Sequence, residues 1–149
     1  MYNISIRQKL GEKMRNKKLE KMDLRDISLM LRKTVDNLDK DDLRLHVLLG
    51  FFHGIFLKMI EKLNFDFDTF TLNLRITDFI KQAPVQNSEG LKLEIKGINL
   101  QEIFSIFRNI AESSDSDEFQ LVYLFGFSQG LLNRIMRKLD IDYQIPMPV

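Results

Sequence analysis

Hydrophobic residues recur along the first third of the chain at helical spacing. Leu24, Ile27, Met30, Leu31 and Leu38 fall on one face of a 3.6-residue period. The run from 42 to 63 that follows is apolar on nearly every side, which marks a helix buried on more than one flank. The texture then changes. Phe70, Leu72, Leu74 and Ile76 alternate with Thr71, Asn73 and Arg75, and Leu91, Leu93 and Ile95 alternate with Lys92, Glu94 and Lys96. A period of two predicts strands with one buried face, so residues 68–95 are expected to form a small inserted antiparallel β-ribbon. From 96 onward the helical period returns through Leu100, Ile103, Ile106, Phe107 and Ile110, and 118–139 is again apolar almost all round.

The two helical stretches match each other. Sliding the chain by 76 positions aligns 20–67 with 96–143 without a gap, and 13 of 48 positions are identical, among them Leu24/Leu100, Arg32/Arg108, Leu45/Leu121, Gly50/Gly126, Phe51/Phe127, Gly54/Gly130 and Lys62/Lys138. Ordinary residue usage gives roughly three or four by chance. Unlike pairs keep their chemistry, as in Asp26/Glu102, Asp42/Glu118 and Lys58/Arg134. A single domain over 1–149 is therefore predicted. It is mainly α, an internally duplicated helical hairpin of about four core helices with pseudo-twofold symmetry, the β-ribbon lying between the repeats.

Local signals fit this division. Asp23 and Asn99 stand at N-cap positions, with Asp26 and Glu102 three residues on. The connectors 37–40 and 113–116 are short and polar, which predicts antiparallel packing of the two helices within each repeat. Asp41, Asp42, Asp117 and Glu118 put negative charge at the start of the second helices, where the helix dipole favours it.

Each second helix also carries Gly-x-x-x-Gly: Gly50 with Gly54, and Gly126 with Gly130. A mid-helix glycine costs ~1 kcal/mol against alanine. Four of them at matched positions predict a close crossing of the two helices over their glycines. His53 and Gln129, equivalent by the 76-residue shift, lie between the glycines and are expected to meet at that crossing.

Composition removes several chemistries. The chain has no cysteine, which excludes disulfides, thiolate catalysis and cysteine-ligated metals, and makes a reducing cytoplasm the expected compartment. The first ten residues show no apolar signal core. The uncharged run 45–57 is shorter than the ~20 residues a bilayer span needs. No cofactor and no metal site is expected. His46 and His53 lie seven residues apart, ~10.5 Å along a helix, too far to share one ion readily. The acidic runs 39–42 and 115–118 lack the ligand order of a calcium loop.

Two features keep other functions open. Gly126-Phe127-Ser128-Gln129-Gly130 matches the nucleophile elbow of hydrolases. However, no histidine follows Ser128, and Phe52 stands in the serine's place in the first repeat. Residues 1–25 hold eight cations against three anions, a net of +5 in a chain whose total is +1. The basic segment 1–20, with Arg7, Lys9, Lys13, Arg15, Lys17 and Lys18, and Lys21 just after it, suits contact with nucleic acid or an acidic partner. The leading expectation is a small cytoplasmic, non-catalytic binding or regulatory protein presenting a protein-interaction surface. The alternatives are a nucleic-acid-associated accessory protein and a hydrolase through Ser128. A monomer is favoured over a homodimer, because a duplicated chain satisfies internally what a single repeat would meet by pairing. Residues 144–149, with two prolines, are expected to form an irregular tail.

Overall fold

The structure, a computed structural model, describes residues 22–82 and 92–146. The described residues form five helices and one two-stranded antiparallel sheet. In chain order these are α1 (Leu24–Asn37), α2 (Leu43–Leu63), α3 (Thr69–Gln82), β1 (Glu94–Ile95), β2 (Ile98–Asn99), α4 (Leu100–Ser113) and α5 (Phe119–Lys138). The protein is mainly helical, as its apolar periodicity requires. The basic segment 1–20, together with Lys21, lies outside the described residues, as do 83–91 and 147–149.

The helix ends form where the side chains allow. Asp23 Oδ1 accepts the amide of Asp26 at 2.8 Å, and Asn99 Oδ1 accepts that of Gln101 at 2.8 Å, so two otherwise orphaned amides are satisfied. Asp42 caps α2 through the amide of Arg44 at 2.9 Å. The far end of α2 closes with Asn64 in the left-handed region (φ 56°), Phe65 N–H bonding back to the Ile60 carbonyl and Asn64 N–H to Glu61. The end of α5 repeats this 76 residues later. Asp140 has φ 58°, Ile141 N–H reaches the Met136 carbonyl, and Asp140 N–H reaches Arg137. Both are Schellman caps.

The inserted ribbon is smaller than the sequence predicts, and in a different place. Residues 70–76, expected to form its first strand, lie instead within helix α3. Alternating apolar residues necessarily contain i, i+4 pairs, and the helix uses them. Leu72 and Ile76 face the core, while Phe70 and Leu74 face outward. A cap tips the choice: Asp68 accepts the amide of Phe70 (3.1 Å) and the hydroxyl of Thr71 (3.1 Å). Among the described residues only 94–99 pairs as β-structure. Its turn is Lys96-Gly97, with φ of 52° and 79°, the positive pair that a tight two-residue hairpin demands. Glycine supplies the second of these without a steric cost.

The core runs between α2 and α5, which make the most extensive helix–helix contact of the molecule. They lie antiparallel. Phe56 stacks on Phe125 (centroids 5.0 Å) and Phe52 meets Phe127 edge-on (6.1 Å), while the C-terminal end of each reaches the loop that leads into the other. Within-repeat packing differs from the expected hairpin. α1 rests chiefly on α5 rather than on its sequence neighbour α2, and α4 packs on both α2 and α5. Side chains tie the ends together in the same crossed manner. Lys62, from α2, donates to the carbonyls of Ala111 (3.0 Å) and Glu112 (2.9 Å) at the end of α4. Lys138, from α5, donates to the carbonyls of Val35 (2.9 Å), Asp36 (2.7 Å) and Leu38 at the end of α1. Neither α1 nor α4 has a basic residue in its own last turn, so each receives its C-terminal cation from a distant helix. Lys58–Glu112 (3.0 Å) and Arg134–Asp36 (2.9 Å) repeat the exchange as ion pairs.

Candidate interaction surface

The glycines do not lie at the crossing. A Cβ built on Gly50, Gly54, Gly126 or Gly130 meets no atom within 4 Å, so no helix backbone approaches them closely and no phenylalanine is seated on them. Gly54, Gly126 and Gly130 are exposed. The physical reason is the breadth of the α2–α5 contact. It is filled by large side chains (Phe52, Phe56, Leu48, Leu124, Leu132, Ile135), which hold the two backbones apart on the faces opposite the glycines.

His53 and Gln129 have separate partners, in place of the contact expected between them. His53 Nε2 donates to Asn73 Oδ1 on α3 at 2.7 Å, and Gln129 Nε2 donates to the Pro146 carbonyl at 3.0 Å. Ser128 is fully buried inside the continuous helix α5, and its hydroxyl has no hydrogen-bond partner. An elbow nucleophile stands exposed at a strand-to-helix turn, and this position offers neither the turn nor the access. Among the described residues no group of three or more His, Asp or Glu converges as metal ligands do. One helix, α2, is long and apolar enough to cross a membrane by length and composition. It is also the central core helix, with Leu45, Leu48, Phe52, Phe56 and Met59 buried in the protein.

Two flanks that correspond by the 76-residue shift are covered differently. On α2, helix α3 lies over His46 and His53: the Phe79 ring stacks on His46 (5.2 Å, interplanar angle 17°) and Asn73 binds His53. On α5 the corresponding residues are Val122 and Gln129. The C-terminal stretch covers the Gln129 end. Asn133 exchanges two hydrogen bonds with the Ile145 backbone (3.2 and 2.7 Å), and Pro146 takes the amide of Gln129. Tyr143, just before it, has its phenol pushed up by burial, with the Asp68 carboxylate adding to the effect. Among the described residues the Val122 end is open. Val122 is 49% exposed, and Phe119, one turn earlier, is 80% exposed. Helix α3 likewise presents Phe70 (73% exposed) and Leu74 (48% exposed) four residues apart on its outer face.

Neither patch was legible as surface from the sequence. The alternation predicts Phe70 and Leu74 on the buried side of a strand, and Phe119 falls within the stretch 118–139, which is apolar almost all round. The available signal was the capping set Asp68–Thr71, which starts a helix and turns Phe70 and Leu74 away from Leu72 and Ile76.

A concavity of about 890 Å³ lies between α1 and the hairpin. Leu29, Met30 and Lys33 form one side and Glu94, Ile95 and Ile98 the other. Arg44 spans its end. It binds the Asp42 carboxylate at 2.7 Å and the Glu94 carbonyl at 2.8 Å, and this guanidinium holds the Asp42 carboxyl below its ordinary range. Compared with known protein families, with curated proteins and with solved structures, the chain finds no match.

Proposed function

We propose that this chain is a non-catalytic, cytoplasmic binding protein built from two duplicated halves related by a pseudo-twofold axis, and that its apolar surface patches engage another protein. Support for the duplication comes from the paired Schellman caps, the matched bounds of α1 with α4, and the crossed contacts of Lys62 and Lys138. Residues related by the 76-residue shift make corresponding contacts, Lys62 with Ala111 and Glu112 and Lys138 with Val35 and Asp36, as across an isologous interface. The interaction reading is carried by one observation: Phe119 at 80% and Phe70 at 73% exposure, on a body whose other aromatic rings are largely packed. Large apolar side chains displayed together on a helix face mark interaction sites.

The test is affinity capture from native lysate with the full chain, run with and without nuclease, against a Phe119→Asp variant. A partner that survives nuclease and is lost on Phe119→Asp supports the reading. Capture unchanged by the substitution overturns the assignment of this face. The net charge of +5 over residues 1–25 favours a second reading, a nucleic-acid-associated protein contacting phosphates through Arg7, Lys9, Lys13, Arg15, Lys17, Lys18 and Lys21. Under that reading binding falls steeply with salt and is lost when residues 1–20 are deleted. Capture is then abolished by nuclease.

A further inference from the structure

Gly126 and Gly130 weaken α5 without a packing gain, since a Cβ at either position meets nothing within 4 Å. Over them lies a cleft of about 270 Å³ between α1 and α5, bounded by Arg32 on one helix and by Phe127, Leu131 and Arg134 on the other. The two guanidiniums are held differently. Arg134 is fixed by Asp36 through Nη1 alone (2.9 and 3.2 Å), so its Nε and Nη2 donors stay unengaged among the described residues. Arg32 is exposed and makes no hydrogen bond or ion pair among the described residues.

The other half supplies the comparison. Shifted by 76 residues, the cleft corresponds to Arg108, Gly50, Phe51, Gly54, Ile55 and Lys58. There the Arg108 guanidinium lies 5.6 Å from the centre of the Phe51 ring, and that ring stacks on Phe104 at 4.1 Å. A cation held over an aromatic face is already engaged. Phe127 leans instead on Phe52 and Phe107, and among the described residues no cation lies over its ring. One arginine is committed, and its counterpart is left beside an open cleft.

We propose that the α1–α5 cleft binds a small organic carboxylate. The Arg32 and Arg134 guanidiniums donate to its two oxygens, and its apolar body lies against Phe127 and Leu131 over the glycines. Planar guanidinium forks match a carboxylate in shape and in donor number. Charge selects the same class. With Asp36 counted, the cleft carries one net positive charge, which a single carboxylate neutralises and a doubly charged phosphate monoester exceeds. Mid-helix glycine amides are spent on the helix's own hydrogen bonds, so Gly126 and Gly130 contribute room and no donors. The volume is small for a drug-sized ligand, which favours a small acid. The inference goes beyond the protein-interaction reading and stands on different residues.

Benzoate is the probe, titrated into the full chain labelled with nitrogen-15 and followed by NMR. Saturable shifts are expected at the Gly126 and Gly130 amides and at Arg32 Nε–H, with a Kd on the order of 1 mM, usual for so small a ligand. Arg32→Ala, at an exposed helix position, is expected to weaken binding about tenfold or more, and Arg108→Ala to leave it unchanged. Gly130→Leu fills the cleft with both arginines in place and is expected to abolish binding, circular dichroism verifying that the helices are kept. Inorganic phosphate at matched ionic strength is expected to bind about tenfold more weakly than benzoate. The proposal is overturned if no saturable shift reaches Gly126 or Gly130, or if Arg32→Ala binds like wild type. It is equally overturned if Arg108→Ala loses as much as Arg32→Ala, or if phosphate shifts the same amides as strongly, which marks an undirected cationic surface. Phe119→Asp is expected to leave benzoate binding untouched, so this proposal and the protein-interaction reading fail separately.

Discussion

Phe52 and Ser128 occupy corresponding turns of α2 and α5, on the two sides of the central contact, and the protein treats them differently. Phe52 is fully buried among Phe51, Phe107 and Phe127. Ser128 is equally buried, but its hydroxyl is unpaired. The same contrast recurs outside, where α3 clothes one flank and the other is half bare. The two helices differ in side-chain dressing. Exposed apolar side chains stand on the outer face of α3 and on the first turns of α5.

The largest effect expected from this contrast lies at the centre. Phe52→Ala should cost about 4 kcal/mol in chemical denaturation, because it leaves a large cavity among rings that cannot collapse. Ser128→Ala, at the corresponding turn, should be neutral or stabilise by up to about 1 kcal/mol, since it removes a buried hydroxyl without a partner. Equal losses at the two positions would break the comparison.

The crossed lysines come next. Lys138→Ala leaves three carbonyls of the α1 end without their donor and should cost about 2 kcal/mol. Lys62→Ala leaves two at the α4 end and should cost about 1 kcal/mol. Thermal melts of the two variants, measured side by side, show whether the exchange is balanced.

Smaller and opposite in sign is the effect of the glycines. Gly54→Ala and Gly130→Ala should each stabilise by about 0.5–1 kcal/mol, because the new methyl meets no neighbour and the helix gains propensity. A loss at either position would restore the close crossing that the structure lacks.

The smallest effect concerns pH. Asp42→Asn keeps the cap and removes the charge, at a cost of about 0.5 kcal/mol. The wild-type carboxyl titrates below its ordinary value of 3.8 when folded, owing first to its hydrogen bond with Arg44. Its contribution is therefore complete above that value and is lost as the pH falls through the lowered one. Acid titration of the two proteins should make their stabilities converge in that window and leave them apart at neutral pH.

Much of the fold was written into local pattern. The apolar period located α1, α2, α4 and α5. Asp23, Asp42 and Asn99 marked where helices begin. What failed was inference about faces. Period two between Phe70 and Ile76 is compatible with a strand or a helix, and only the Asp68 cap, read together with Thr71, separates them. The glycine pairs suggested a groove, but whether a helix enters a groove depends on which of its faces the rest of the protein occupies.

By itself, then, the amino-acid order determined four of the five helices and where three of them begin, because capping and amphipathicity act within a few residues. Tertiary structure alone decided that α1 leans on α5, that Lys62 and Lys138 serve each other's distant helix ends, and that Phe70 and Phe119 stay on the surface. These outcomes are set by how buried area is shared among elements far apart in the chain, and no short-range signal carries that competition.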